Sequence, residues 1–331
     1  MLFGNSIIFG LCGSLNFFEV KYLFNSLNFN LSSIEICLSL ICFVIVFLFK
    51  VAAFPCHMWS PDVYEGVWLP ITVVLVVLVK LLYFFFFFRL FFYVFIKLVY
   101  LWQPLFLLSS LGSLVIGSFG IIGQNRVKRL MAYSSISHVS FILLGMACGS
   151  LSGLTVSIVY LLIYSLTLLL FFGFMLNVSC LITNKSLIYL SDFANVTKFS
   201  FIWSNFLLVV LFSMGGIPPL AGFFIKLYLY IEAISAGFYI FVIFSLIISI
   251  ISTSYYLFFL KSIFFDNFVW SKFIRISDLN RLVGGNFAFF GLGIGFITFF
   301  LFKCSKFYVF ILYVSMSLYC PYYSKFMFSL L

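Results

Sequence analysis

Apolar residues fill this chain in blocks of about twenty, close to what a helix needs to cross a bilayer core, with short polar breaks between them. The blocks predict spans at 36 to 55, 71 to 95, 101 to 123, 130 to 149, 153 to 177, 201 to 233 in two pieces, 236 to 260 and 286 to 302. Membrane strands would alternate apolar and polar residues over about ten positions. The runs here are continuous, so the expected class is all-α, a polytopic transmembrane helix bundle. Two spans are interrupted: one meets Pro55 soon after Lys50, and the other contains SMGGIPPLAGFFIK, whose glycines and prolines cannot continue a regular helix. A break at membrane depth frees backbone groups that protein or water must satisfy. Each break has a lysine within eight residues, Lys50 or Lys226.

Composition agrees with the pattern. The chain has 331 residues, 65% hydrophobic and 8% charged, against about 25% charged in a soluble domain. The net charge of +10 is scattered at predicted helix ends, which indicates topology and not nucleic-acid binding. Counted by side, Arg126, Lys128, Arg129, Lys185, Lys198, Lys261, Lys272, Arg275 and Arg281 share one face with the loop from Cys56 to Pro70, whereas Arg89, Lys97, Lys303 and Lys306 lie opposite. The positive-inside rule makes the first face cytoplasmic, or matrix. Eight cysteines show no metal or cluster spacing and read as small apolar fillers. The 51 phenylalanines, including Phe84 to Phe88, suggest T-rich codons and an organelle genome. The first residues, MLFGNSIIFGLCGSLNF, lack the basic start of a secretory signal and are short for a span. Residues 1–35 are therefore expected to be a partial first helix and loop, 36–303 the transmembrane domain, and 304–331 an apolar tail.

The candidate chemistry lies in amines placed where water is scarce. Lys80 follows nine residues after its span begins, about 14 Å deep at 1.5 Å per residue. A charge there costs about 2.5 to 3.5 kcal/mol on insertion scales and commonly marks a pathway. Loss of water disfavours the charged form of an amine, which brings a buried lysine toward the range of proton exchange. The ordinary reading also holds for some: Lys50 can snorkel from a helix end, and Glu232 offers Lys226 a charge balance six residues on. His138, inside AYSSISHVSF, is either a satisfied polar residue between helices or a relay. His57, Asp62 and Glu65 fall in the expected loop, where solvated charge is ordinary. No nucleophile with a base, phosphate loop or metal cluster stands out.

The stretch FKVAAFPCHMWSPDVYEGVWLPITVVLVVLVK resembles the seventh and eighth helices of subunit 2 of NADH:ubiquinone oxidoreductase, the respiratory complex I family related to cation/proton antiporters. Phe49-Lys50, Pro55, His57, Trp59, Pro61 to Gly66, Pro70 and Lys80 carry that likeness. GQNRVKRLMAYSSISHVSFILLG is similar to the family's tenth helix and SMGGIPPLAGFFIKLYLY to its broken twelfth. The resemblance implies an antiporter-like inverted-repeat fold, with Lys50 gating protons, Lys80 relaying them, His138 linking and Lys226 releasing them. It implies a mitochondrial inner-membrane subunit that binds no cofactor itself, in a complex that uses NADH, FMN, iron–sulfur clusters and ubiquinone. The other membrane-arm subunits and membrane lipids are its implied partners; nucleic acid is not.

One departure is clear. The family pairs its seventh-helix lysine with a glutamate on the fifth helix, and only about fifty residues precede Lys50. Glu35 is fifteen residues away, over 20 Å of helix, and Glu19 lies outside the predicted spans. The expectation is a split subunit, with a second polypeptide supplying the earlier helices and the paired glutamate; a shortened subunit with altered proton entry is the alternative. Two other functions fit the same fold: a stand-alone sodium/proton antiporter subunit and a scaffold that does not pump.

Overall fold

A computed structural model describes residues 1–26, 34–181, 189–193 and 201–264. The predicted span at 286–302 and the 304–331 tail lie outside them. The described chain is almost entirely helical: α1 Leu2–Cys12, α2 Phe17–Ser26, α3 Ile34–Val51, α4 Trp59–Gly66, α5 Leu69–Val94, α6 Val99–Ile121, α7 Val127–Ala147, α8 Leu151–Leu181, α9 Phe201–Gly215, α10 Ala221–Ser235 and α11 Tyr239–Phe264. Six of these helices, α3, α5, α6, α7, α8 and α11, are long and apolar enough to cross a membrane.

Helix packing here follows lipid rules, in which apolar side chains gain little from leaving the bilayer and close contact decides association. In α3 the buried positions Ile36, Leu40, Phe43, Phe47 and Val51 recur at three- and four-residue steps, the spacing of one helical face. That face meets the phenylalanines of α5: the Phe47 and Phe87 rings lie 4.5 Å apart, and Phe91 and Phe106 cross edge to face at 4.9 Å. The phenylalanine run thus serves packing. Helix α7 is the centre of the bundle, and all but Lys128, Arg129 and Tyr133 of its residues are buried. It lies against α6 so closely that a Cβ at Gly117 would come within 2.6 Å of the Ser137 backbone nitrogen. Only a residue without a side chain permits that approach.

Two expectations need correction. Residues 56–70 are not an interfacial loop: Trp59–Gly66 forms a helix, with Pro61 and Asp62 in its first turn, where proline and acidic residues suit the free amides. This short helix follows a break in which Ala52 adopts φ 61° and closes over the end of the bundle. Residues 1–26 hold two short helices, α1 and α2, where one partial helix and a loop were expected, and Glu19 is in the first turn of the second. The second interruption falls between α9 and α10, where Gly216 has φ 81°.

The side assignments can be checked by contacts. Glu65 at the end of α4 pairs with Arg126, Asn125 accepts the Leu190 amide, and the Tyr255 hydroxyl near the end of α11 accepts from the Gly123 amide. These contacts gather Arg126, Lys128, Arg129 and residues 56–70 at one end of the bundle, as the charge count requires.

Candidate functional site

The serine-rich stretch of α7, MAYSSISHVS, supplies polarity at the bundle centre without charge. Its serines turn back on the helix, as in Ser135 Oγ donating to the Ala132 carbonyl at 2.7 Å and Ser137 Oγ to Ser134 at 2.8 Å. Serine meets its own hydrogen bond in this way, so it can sit in a dry interior at small cost.

Lys80, on α5, follows a widened π-type turn over Val74–Leu78, a feature common at functional positions. Its side chain is buried, and Nζ donates to Ser135 Oγ at 3.0 Å. The Tyr64 ring of α4 covers it at 5.9 Å. Lys226 lies in the inward stripe of α10 with Ile225, Leu229 and Ala233. Its Nζ donates to the Gly215 carbonyl at 3.0 Å, a backbone group released by the break, and lies 5.2 Å from the Phe141 ring. Glu232 does not balance this lysine. It accepts from Ser152 Oγ at 2.6 Å, at the far end of the bundle.

Between the two amines lies His138. Its Nδ1 is 2.8 Å from the Tyr160 hydroxyl, Nε2 is 3.4 Å from that of Tyr256, and its ring stacks on Tyr164 at 4.5 Å. A cavity of about 20 Å³ reaches from His138 and Tyr160 to Lys226, room for about one water. Tyr160, Tyr164, Tyr256 and Ser135 were not singled out from the sequence. The available signal was Tyr160 and Tyr164, four residues apart and so on one helical face.

Lys50 is different. It ends α3 with an exposed side chain, its Nζ 5.6 Å from the Tyr83 ring centroid, and no carboxylate among the described residues lies within ion-pair distance. The structure therefore brings Lys80, His138 and Lys226 into one buried line and leaves Lys50 at its edge.

A charged cap closes the basic end over Lys80. Glu65 pairs with Arg126 and lies 3.6 Å from Arg129, while Asp62 is 3.4 Å from Arg129. Lys128 Nζ adds a bond to the Val67 carbonyl at 2.6 Å. The side chain of Glu65 is 19% exposed and that of Asp62 is 74% exposed. Glu65, unlike the solvated charge expected, is thus largely enclosed, and His57 is buried too. Ion pairs open to water contribute little, and Arg126 and Arg129 are 52% and 37% exposed, so neither is stranded when its carboxylate is lost. Glu65→Gln is expected to destabilise by about 0.5–1 kcal/mol and Asp62→Asn to change nothing measurable, compared by thermal unfolding of the purified assembly.

Among the described residues no three His, Cys, Asp or Glu side chains converge on a common point. The chain matches, over residues 1–252, the family model described as NADH:quinone oxidoreductase/Mrp antiporter, TM. The chain belongs to that family. Within the NADH:quinone oxidoreductase/Mrp antiporter family it is 35% identical over 270 residues to NADH-quinone oxidoreductase subunit N of Pelagibacter ubique, covering 80% of this chain and 55% of that protein. It is 33% identical over 269 residues to NADH-ubiquinone oxidoreductase chain 2 of Marchantia polymorpha, covering 80% of this chain and 54% of that one. A chain of respiratory complex I from Thermus thermophilus, solved with bound aureothin, superposes with a TM-score of 0.63 at 26% identity, covering 80% of this chain and 56% of that one. The chain thus spans about half the length of these relatives, and it is a multi-pass membrane member of the family.

Proposed function

We propose that this chain carries protons within the membrane arm of a respiratory NADH:quinone oxidoreductase of the mitochondrial inner membrane. The observation that carries the reading is the buried line of Lys80, His138 and Lys226, whose bonded partners are uncharged. An amine held by a hydroxyl or a carbonyl keeps its hydrogen bond and has no counter-ion to fix its charge, so its protonation can follow changes in hydration. Quinone reduction elsewhere in the assembly supplies the driving change, and NADH, flavin and iron–sulfur chemistry belong to other subunits. Lys50 serves as the entry group, with a carboxylate supplied from outside the described residues. The identity to relatives named as subunits of NADH-quinone and NADH-ubiquinone oxidoreductase supports membership of such an assembly over a stand-alone antiporter.

The test uses the intact complex in sealed vesicles, with external pH and sodium followed during NADH oxidation. Proton movement that collapses with an uncoupler and does not depend on sodium is the expected result. Transport that requires sodium assigns the chain to the sodium/proton antiporter alternative, and oxidation without ion movement through this subunit assigns it to the scaffold.

A further inference from the structure

Two small cavities flank the buried line. The one of about 20 Å³ contains His138, Tyr160 and Lys226, and the other, of about 10 Å³, lies against Lys80. Tyr164 is the one residue that lines both. It is buried, its ring stacks on His138, and its hydroxyl makes no hydrogen bond of full geometry among the described residues. The group that faces it is the hydroxyl of Ser135, the residue that holds Lys80, whose own proton goes to the Ala132 carbonyl. A buried hydroxyl that is not fully bonded forfeits part of the hydrogen bonding it has in water. Such a group is retained most readily where it bonds in another state of the molecule.

We infer that the Tyr164 hydroxyl is the proton link between the Lys80 and Lys226 compartments. This rests on the proposed proton-carrying role and adds the residue that joins its two halves. Starting from an ammonium at Lys80, a proton passes to Ser135 Oγ, and Ser135, turning from the Ala132 carbonyl, passes its own to the Tyr164 oxygen. Tyr164 gives its original proton to one water in the His138 cavity, and that water protonates the Lys226 amine. One amine loses a proton and the other gains it, while both hydroxyls and the water end as they began. Reversal follows the same atoms.

The experiment compares Tyr164→Phe, Lys80→Met and Lys226→Met in the complete complex, reading protons moved per NADH oxidised. Phenylalanine keeps the ring and its stack on His138 and removes only the oxygen. Transfer through this line is expected to slow by about 100-fold, the lower range for a positioned acid–base group, so the proton ratio falls to that of the lysine variants while inhibitor-sensitive NADH oxidation persists. A wild-type ratio in Tyr164→Phe beside a lowered ratio in both lysine variants overturns the tyrosine link alone. Unchanged ratios in all three overturn the underlying function as well. Should Tyr164→Phe fail to assemble, Ser135→Ala breaks the same link from the other side, and a normal ratio there also overturns the inference.

Discussion

Lys226→Met is expected to abolish proton movement through this subunit while leaving NADH oxidation intact. Methionine matches the lysine stem in length and fills the inward stripe of α10, so packing against Ile225 and Leu229 survives. What disappears is the one donor that meets the Gly215 carbonyl, together with the protonatable group at that end of the line. The uncovered carbonyl costs about 1–3 kcal/mol, and loss of an acid–base group slows transfer by about 100- to 10,000-fold. Vesicles containing the variant complex should oxidise NADH with a lower proton-to-electron ratio. A wild-type ratio would remove Lys226 from the path.

Gly222→Ala is expected to be the most damaging small substitution in the described structure. Gly222 lies in the first turn of α10, where the chain returns across the break and presses against the end of α9. A Cβ there would overlap the Ser213 carbonyl oxygen and sit 3.0 Å from its carbon. Backbone cannot swing aside as a side chain can, so α9 and α10 would have to part. Overpacking of this kind costs about 1–3 kcal/mol, sometimes more, and the parting would also carry Lys226 away from Gly215. Lower thermal stability together with a reduced proton ratio is the expected pair of results. A stable variant with normal coupling would show that the break tolerates a wider separation.

The amines were legible in the sequence because a charge inside an apolar run is an anomaly that has to be explained. Lys80 and Lys226 are buried as that argument required. Run length gave the long helices to within a few residues, since bilayer thickness sets it. The hydroxyls were not legible, because tyrosine and serine in an apolar helix look the same whether they bond locally or across helices. Glu232 misled for a geometric reason: six residues at 100° each place it well away from the face of Lys226, and Ser152 takes it instead. Helix α4 was hidden by its polarity, which suits a short helix capped by arginines but resembles that of a loop.

The enclosure of α7 has a consequence for biogenesis. This helix follows Arg126, opens with Lys128 and Arg129 and carries His138 among four serines, so it is the least apolar of the six spans and the one that gains least from lipid by itself. The glycine seam at Gly117 lets α6 shield it as a hairpin, with α8 closing the other side soon after translation. Insertion of the relay helix is then a cooperative act of three neighbours, and a newborn chain stalled before Leu151 would present an imidazole to the acyl chains.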